Sequence, residues 1–517
     1  MMKRRPPAFA TSIRWQSVNV VSQVLLQLLF IMLLARLIDK ADFGIMSIAL
    51  VVVGFIEIFA QIGIGPSLIQ REQLDDRHIR AAMHFSLVLG VVFFGGLYAS
   101  APAIGAWFEN ELLTEVLRWI SWSFILSSIA LVPRSLLIRQ MEFKRLFIAA
   151  MIAMVFGNLC VGLGLAYAGY GIWAYVAALL CQNALLGLAY WLMRPEGMPA
   201  VLGGWRGRDL GAMLRYGGQS TLFNWFNYAS TKVDTLIVGE FNKSAAHAVD
   251  GWSNTGVYDR SAHLMSLPVT ILGKLGDSVL FSGMSALQSD TKALNEVITR
   301  GLGLIAWIIF PGSLALAWFS TEVSVLILGA SYAEAGPVVR ILFLGVAFRS
   351  LIKLADAVVR ATDRLIPAIL IKVLYLLGMS IAAWFAMQKG LGIAGVAWAV
   401  TASTLAQFIF YFGWLAPKMK LSFHAVWLAL KPGAFGWVLA IPGYLMIAAA
   451  IPDIFDADGQ LHPMHLSMRV LSVVLWTCIV WAIVAMRFPH VVDGGDLELR
   501  KRWTAYFPRW VQNRIEQ

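Results

Sequence analysis

The sequence predicts an all-α, polytopic membrane protein of about fourteen transmembrane helices. Three observations carry that reading. Hydrophobic residues make up 59% of the 517 residues and charged ones 14%, whereas soluble domains run at about 45–50% and about 25%. Apolar runs long enough to cross a bilayer recur along the whole chain. They are longer than the roughly ten-residue alternating strands of a membrane barrel. The short polar segments between them alternate in charge, basic on one side of the ladder and acidic on the other.

The first span, 11–37, follows a basic segment, and its apolar run from Val18 to Leu34 lacks a small-x-small cleavage site. It therefore reads as a retained span, not a signal peptide. It carries Asn19, Gln23 and Gln27 at four-residue spacing, and span two, 43–69, carries Glu57 and Gln61. Spans three to six are 81–107, 113–138, 146–168 and 171–193. Spans seven and eight, 209–240 and 252–285, exceed what a bilayer requires and are expected to tilt or protrude. Spans nine to twelve are 294–319, 335–359, 365–388 and 392–416, and a final pair covers 424–450 and 464–486. In the tail from Leu497, basic residues alternate with Trp503, Tyr506, Phe507 and Trp510, a mixture suited to the headgroup layer.

Loop charge orients the ladder. With the N-terminus inside, the inner segments hold Arg71, Arg77, Arg80, Arg139, Lys144 and Arg145, and the outer loops only Lys40, Lys243 and Lys389. One outer loop has Glu109, Glu111 and Glu115, another Asp453, Asp456 and Asp458. This positive-inside bias predicts an even number of spans with both ends cytoplasmic. It also accounts for most of the +11 net charge, so nucleic acid is not an expected partner.

The chain reads as a duplication. Gly169-Tyr170-Gly171-Ile172 before span six matches Gly390-Leu391-Gly392-Ile393 before span twelve, and Arg145-Leu146 matches Arg364-Leu365. The offset equals six spans, so the halves have the same orientation and form parallel repeats. The expected organisation is one lobe over 1–200, a second over 201–420, two extra helices over 421–487 and a basic-aromatic cytoplasmic tail over 488–517.

Charged side chains inside spans are costly and mark functional positions. Arg349, Lys353, Asp356 and Arg360 are spaced by 4, 3 and 4, which places them on one face of span ten. Span eleven has Lys372, span seven Lys232 and Asp234, and span eight Lys274 and Asp277 with Asp259-Arg260 nearer the outside. Lys232, Lys274, Arg349, Lys353, Arg360 and Lys372 are the candidate ligands for an anion, because Arg binds phosphate bidentately and Lys as a point charge. Glu57, Asp234, Asp277 and Asp356 are the candidate carriers of a coupling ion. Glu57 reads equally as a partner for one of the cations, and Lys274–Asp277 and Lys353–Asp356 read also as salt bridges that hold helices together.

Enzyme signatures are missing: there is no HExxH, Walker A or nucleophile-elbow motif. Cys160, Cys181 and Cys478 lie in apolar runs with no metal or disulfide spacing. The His462-Pro463-Met464-His465 pair sits by a loop without the context of a metal site. The glycines of 162–171 follow no strand and are not a dinucleotide fingerprint. The expectation is a transporter with no cofactor and no metal, driven by an ion, potential or substrate gradient.

Five stretches bring a family resemblance. They are LLARLIDKADFGIMSIALVVVGFIEIFAQIGIGPSLIQRE at 33–72, RQMEFKRL at 139–146, KVDTLIVGEF at 232–241, GVYDRSAHLMSLP at 256–268 and RATDRL at 360–365. In this order and spacing the sequence resembles the Wzx-type oligosaccharide (polysaccharide) flippases of the multidrug/oligosaccharidyl-lipid/polysaccharide exporter superfamily. The resemblance implies two six-helix lobes around a central cationic cavity, plus two C-terminal helices. It implies transfer of a polyprenyl-diphosphate-linked oligosaccharide from the inner to the outer leaflet of the bacterial cytoplasmic (inner) membrane, for lipopolysaccharide, capsule or exopolysaccharide. The implied partners are that lipid-linked oligosaccharide, membrane lipid, a coupling proton or sodium ion, and a polysaccharide polymerase with its chain-length regulator. A lipid II flippase and a multidrug antiporter of the same superfamily are the alternatives. The antiporter predicts an acidic lumen, against the cations found here.

Overall fold

The computed structural model describes residues 9–60, 64–70, 74–194, 198, 207–243, 248–275, 291–362, 365–456 and 460–488. In chain order the helices are α1 Phe9–Leu34, α2 Lys40–Ala60, α3 Ile64–Gln70, α4 Asp76–Trp107, α5 Glu111–Ile120, α6 Trp122–Arg139, α7 Phe143–Ala153, α8 Leu163–Tyr167 and α9 Ile172–Leu192. There follow α10 Gly207–Asn242, α11 Ala248–Leu275, α12 Thr291–Trp318, α13 Ser320–Leu328, α14 Gly336–Ala361, α15 Leu365–Gln388, α16 Gly392–Lys418, α17 Phe423–Ala450 and α18 Pro463–Arg487. A π-helical stretch, Met154–Gly162, joins α7 to α8, and a 3₁₀ turn, Ala330–Ala335, leads into α14. The only β pairing among the described residues is one bridge, Phe455 with Leu461.

The elements are helical because a backbone in hydrocarbon must satisfy its own hydrogen bonds. Among the described residues ten helical segments are long and apolar enough to cross a membrane, and Val18–Leu34 is a shorter apolar stretch. The continuous segments Glu111–Arg139 and Phe143–Tyr167 count among the ten. Helices α10, α11 and α14 have the length but fall outside the ten; they carry most of the intramembrane charges that the sequence singled out, while Glu57 and Lys372 stand on α2 and α15, which are among the ten. The outward faces are apolar, as with Leu370, Leu374, Leu377 and Ile381 on α15 and Leu471, Val474 and Leu475 on α18. Exposed apolar faces of this extent are lipid contacts.

Local signals set the turns. Asn110 accepts the amide of Leu113 at 2.8 Å to cap α5, and Ser422 accepts that of Ala425 at 3.1 Å to cap α17. The two matching glycine turns share one geometry. Gly169 and Gly171 have φ of 86° and 52°, and Gly390 and Gly392 have 73° and 59°. In each, the first glycine donates back three residues and the residue after it donates back five: Gly169 to Ala166 and Tyr170 to Leu165, Gly390 to Met387 and Leu391 to Ala386. This is the Schellman way of ending a helix, which needs a residue at positive φ. Arg364, the partner expected for Arg145, lies outside the described residues.

The RQMEFKRL stretch is explained by capping. Met141, at φ 58°, makes the turn between α6 and α7. Arg139 donates to the carbonyls of Leu68 and Ile69 at 3.0 and 3.2 Å, at the end of α3. Arg145 donates to the carbonyl of Met193 at 3.2 Å, at the end of α9. Cations belong there, since the last carbonyls of a helix are unsatisfied and lie at its negative pole.

The chain divides into two compact units, Met1–Arg260 with Leu365–Val396, and Ser261–Arg364 with Ala397–Gln517. The first unit has a core of Ile45, Met46, Ile48, Phe108, Leu113, Phe124, Val176 and Trp252. A second cluster, Ile64, Leu68, Met83, Leu131 and Leu136, packs α3, α4 and α6 together. Helices α2 and α11 meet without side chains between them: a Cβ on Gly44 would lie 2.1 Å from the Trp252 carbonyl oxygen. The second unit has a core of Ala315, Phe319, Ala440, Tyr444, Val480 and Val484. Arg469 on α18 is its buried polar knot, donating to Glu322 of α13 at 2.7 Å and to Asp453 and the Ile451 carbonyl at 2.8 Å each.

Candidate functional site

The first unit gathers charge where α2, α10, α11 and α15 carry their polar residues. Asp259 on α11 is the hub. Its Oδ1 lies 3.5 Å from Lys232 Nζ on α10. Its Oδ2 accepts from Arg260 Nε at 3.1 Å and also from the Arg260 terminal nitrogen. The Arg260 guanidinium lies over the Phe43 ring, 4.7 Å from its centroid, a cation–π contact.

Asp234, two residues from Lys232 in the sequence, serves a different end. It is 3% exposed, accepts the Tyr258 hydroxyl at 2.8 Å, and accepts the Thr235 amide at 2.9 Å. Tyr228 donates to the Leu50 carbonyl at 3.2 Å, packs edge-on against Phe55 and fills the notch over Gly54. Its phenol lies within electrostatic reach of Glu57 and Asp259, so these acids share one neighbourhood. Glu57 itself is half-buried.

Lys372 is 2% exposed. It donates to Asn227 Oδ1 at 3.1 Å and lies 5.0 Å from the centroid of the Phe223 ring. The amide oxygen and the ring face satisfy a cation that water does not reach.

In the second unit the four charges Arg349, Lys353, Asp356 and Arg360 stand on one continuous helix, α14. Asp356 is 3% exposed and accepts the Tyr411 hydroxyl at 3.0 Å. Arg360 donates back to the Asp356 carbonyl at 3.3 Å. Arg349, Lys353 and Arg360 are half-buried, and Arg349 reaches Met265 Sδ at 3.8 Å. Lys274 lies on the last turn of α11, but its side chain and the whole of Asp277 lie outside the described residues.

The candidates therefore separate by access. Lys232, Arg349, Lys353, Arg360 and Glu57 have half-buried side chains; Lys372, Asp234 and Asp356 are buried beside named partners. Two acids, Asp234 and Asp356, are each held by a tyrosine hydroxyl from another helix. Reading the sequence left Tyr258 and Tyr411 out of the charge pattern, because a phenol in an apolar run looks like packing. It also left Asp259 and Arg260 outside the candidate set. Their adjacency in GVYDRS was the available signal, and only the approach of α10 shows what Asp259 holds.

Among the described residues no group of three or more His, Cys, Asp or Glu side chains comes together as a metal site. His462 and His465 stack at 4.9 Å, and His462 lies 3.5 Å from Asp456.

Comparison with known proteins gives the fold and the family. The structure is similar to that of the lipid II flippase MurJ in an inward closed conformation, with a TM-score of 0.70 at 12% identity, covering 92% of this chain and 99% of that one. At that identity the likeness establishes the fold, a multi-pass helical membrane architecture. In sequence the chain is 23% identical over 332 residues to the lipopolysaccharide biosynthesis protein WzxC of Escherichia coli, covering 64% of this chain and 65% of that protein. It is 23% identical over 417 residues to the teichuronic acid biosynthesis protein TuaB of Bacillus subtilis, covering 80% and 83%. A family profile described as polysaccharide biosynthesis protein matches residues 33–337, which takes in four of the five motif stretches and the charged helices α10 and α11. With more than half of its length matched, the chain belongs to this polysaccharide biosynthesis protein family.

Proposed function

We propose that the protein is a flippase that carries a polyprenyl-diphosphate-linked oligosaccharide from the inner to the outer leaflet of the bacterial cytoplasmic membrane, for surface polysaccharide biosynthesis. One observation carries this reading. Half-buried cations, Lys232 in the first unit and Arg349, Lys353 and Arg360 in the second, stand on membrane-length helices of a chain in a polysaccharide biosynthesis family. A hydrocarbon environment excludes such charges unless they face water or a partner, and a diphosphate is the anion that a lipid-linked glycan presents to them.

In this reading the glycan-diphosphate head enters a central cationic cavity while the polyprenyl tail stays in lipid. Two parallel repeats of six helices, 1–200 and 201–420, rock to expose the head first inside and then outside; the shared geometry of the 169–171 and 390–392 turns supports the repeat. Fourteen spans with both ends cytoplasmic follow from the loop charges. Lys372 and Lys274 add to the field that attracts the head. A proton or sodium ion returns on an acid, and half-buried Glu57 is better placed for exchange than enclosed Asp234 or Asp356; Asp277 completes the set. A polymerase and its chain-length regulator would take the product. The chain acts as a transporter, not an enzyme. The similarity to proteins named for lipopolysaccharide and teichuronic acid biosynthesis supports a saccharide cargo.

Replacing Arg349, Lys353 and Lys372 together by alanine tests the cationic path. Complementation of a flippase-deficient strain is expected to be abolished with the protein still present in the membrane. Normal surface glycan from that variant refutes the path. Loss of viability, in place of loss of surface glycan, on deleting the gene would move the cargo to lipid II.

A further inference from the structure

We propose that Asp259 is a built-in stand-in for the anion of the cargo: it occupies Lys232 while no cargo is bound and yields it to an arriving diphosphate. This rests on the diphosphate reading above and adds to it a positioning residue that acts through Lys232.

The geometry of the two grips is unequal. Arg260 engages one oxygen of Asp259 with two nitrogens, and its side chain is 4% exposed against 3% for the acid. Lys232 meets the other oxygen at 3.5 Å, the outer limit of a hydrogen bond, and its side chain is 32% exposed. One carboxylate thus faces two cations. The lysine has the looser hold on it, because the arginine is closer, forked and stacked on Phe43. A partly exposed ammonium beside an enclosed Asp–Arg pair is an anion site held at rest.

Exchange at this site is inexpensive for a physical reason. When a diphosphate takes Lys232, Asp259 keeps Arg260, so neither buried charge is stranded; stranding one is what makes breaking a buried pair costly. A diphosphate carries more charge than a carboxylate and presents more acceptor oxygens, so it wins Lys232 when present. After the head departs, Asp259 recaptures the lysine. The acid therefore weakens cargo binding and speeds release, which a carrier needs as much as capture.

The test uses the full chain in nanodiscs of zwitterionic lipid only, so that anionic headgroups do not compete. Binding of farnesyl diphosphate is followed by tryptophan fluorescence, with inorganic pyrophosphate as the lipid-free probe. Asp259→Asn is expected to bind farnesyl diphosphate about tenfold more tightly, or about 1.4 kcal/mol, with slower release. Lys232→Gln is expected to bind about tenfold more weakly, and the double variant like Lys232→Gln alone. Asp259→Glu should restore wild-type affinity. A carboxylate that only holds helices together would not raise affinity when neutralised. Unchanged or weaker binding by a monodisperse Asp259→Asn overturns the proposal and leaves the flippase reading standing. If that variant does not fold, Lys232→Gln with wild-type affinity overturns it equally. Wild-type protein that binds neither probe overturns both readings. Equal response to pyrophosphate and to farnesyl diphosphate would assign the site to the phosphates alone; preference for the prenyl form would add the lipid tail.

Discussion

Replacing Gly44 or Gly256 by alanine tests the seam between α2 and α11. A Cβ on Gly44 would stand 2.1 Å from the Trp252 carbonyl oxygen and 3.1 Å from the Gly256 amide nitrogen. A Cβ on Gly256 would stand 2.0 Å from the Lys40 carbonyl oxygen and 3.0 Å from the Gly44 nitrogen. Carbon and oxygen in contact settle at about 3.3 Å or more, so the two backbones must part by about 1 Å. No side chain can rotate away to relieve the clash, since each obstacle is main chain. The separation also loosens Phe43, 0% exposed, and Trp252, 5% exposed, which pack beside the seam. Overpacking of this kind costs about 1–3 kcal/mol. Because the two sites share one contact, the double variant should cost less than the sum of the singles. Gly95 and Gly96 on α4 are the controls: nothing lies within 4 Å of a Cβ at either. Alanine there should be neutral or stabilise by up to about 1 kcal/mol through helix propensity. Thermal unfolding in detergent, followed by tryptophan fluorescence, reads all four. Gly44→Ala and Gly256→Ala should melt below wild type and the controls at or above it. Equal melting temperatures in the two sets would refute the close approach of these helices.

Three further outcomes follow from the packing. Arg469→Met strands Glu322, whose side chain is 7% exposed, and should destabilise the second unit by about 3–5 kcal/mol; adding Glu322→Gln should recover most of the loss in a denaturation series. Arg145→Ala leaves the Met193 carbonyl uncapped at the end of α9. With that side chain 31% exposed, the cost is about 1 kcal/mol after solvent screening, visible as a lower melting temperature with transport retained. Tyr411→Phe removes the hydroxyl held at 3.0 Å by Asp356 and should cost about 1–3 kcal/mol. An equal effect at a surface tyrosine such as Tyr167, 86% exposed, would contradict the buried bond.

Much of the architecture is legible in the sequence. Most helices begin and end within a few residues of the apolar runs, as with span twelve at 392–416 and α16 at Gly392–Lys418, but span two, read as 43–69, divides into α2, which ends at Ala60, and the short α3 from Ile64 to Gln70, and the end of span eight lies outside the described residues. The repeated G-x-G turns were found as a pattern and proved to share positive φ and the same capping bonds. The motif at 139–146 was visible as a string, but its reason was not: Arg139 and Arg145 cap helices 70 and 48 residues away in sequence. The charged positions were legible too, since a charge in an apolar run needs no structure to be noticed. Their roles were not. Lys372 and Lys232 look alike in sequence, yet one is enclosed by Asn227 and Phe223 and the other is 32% exposed.

The sequence by itself determined that the chain is helical and multi-pass. Those properties depend on local hydropathy and on which residues lie next to one another, and a bilayer enforces them segment by segment. Only the tertiary structure decided which charges are spoken for. Pairing is a matter of distance between helices far apart in the chain: Tyr258 with Asp234, Tyr411 with Asp356, and Asp259 between Arg260 and Lys232. In a low-dielectric interior a few ångströms separate a bound structural charge from one available to a ligand, and no spacing along a single helix encodes that difference.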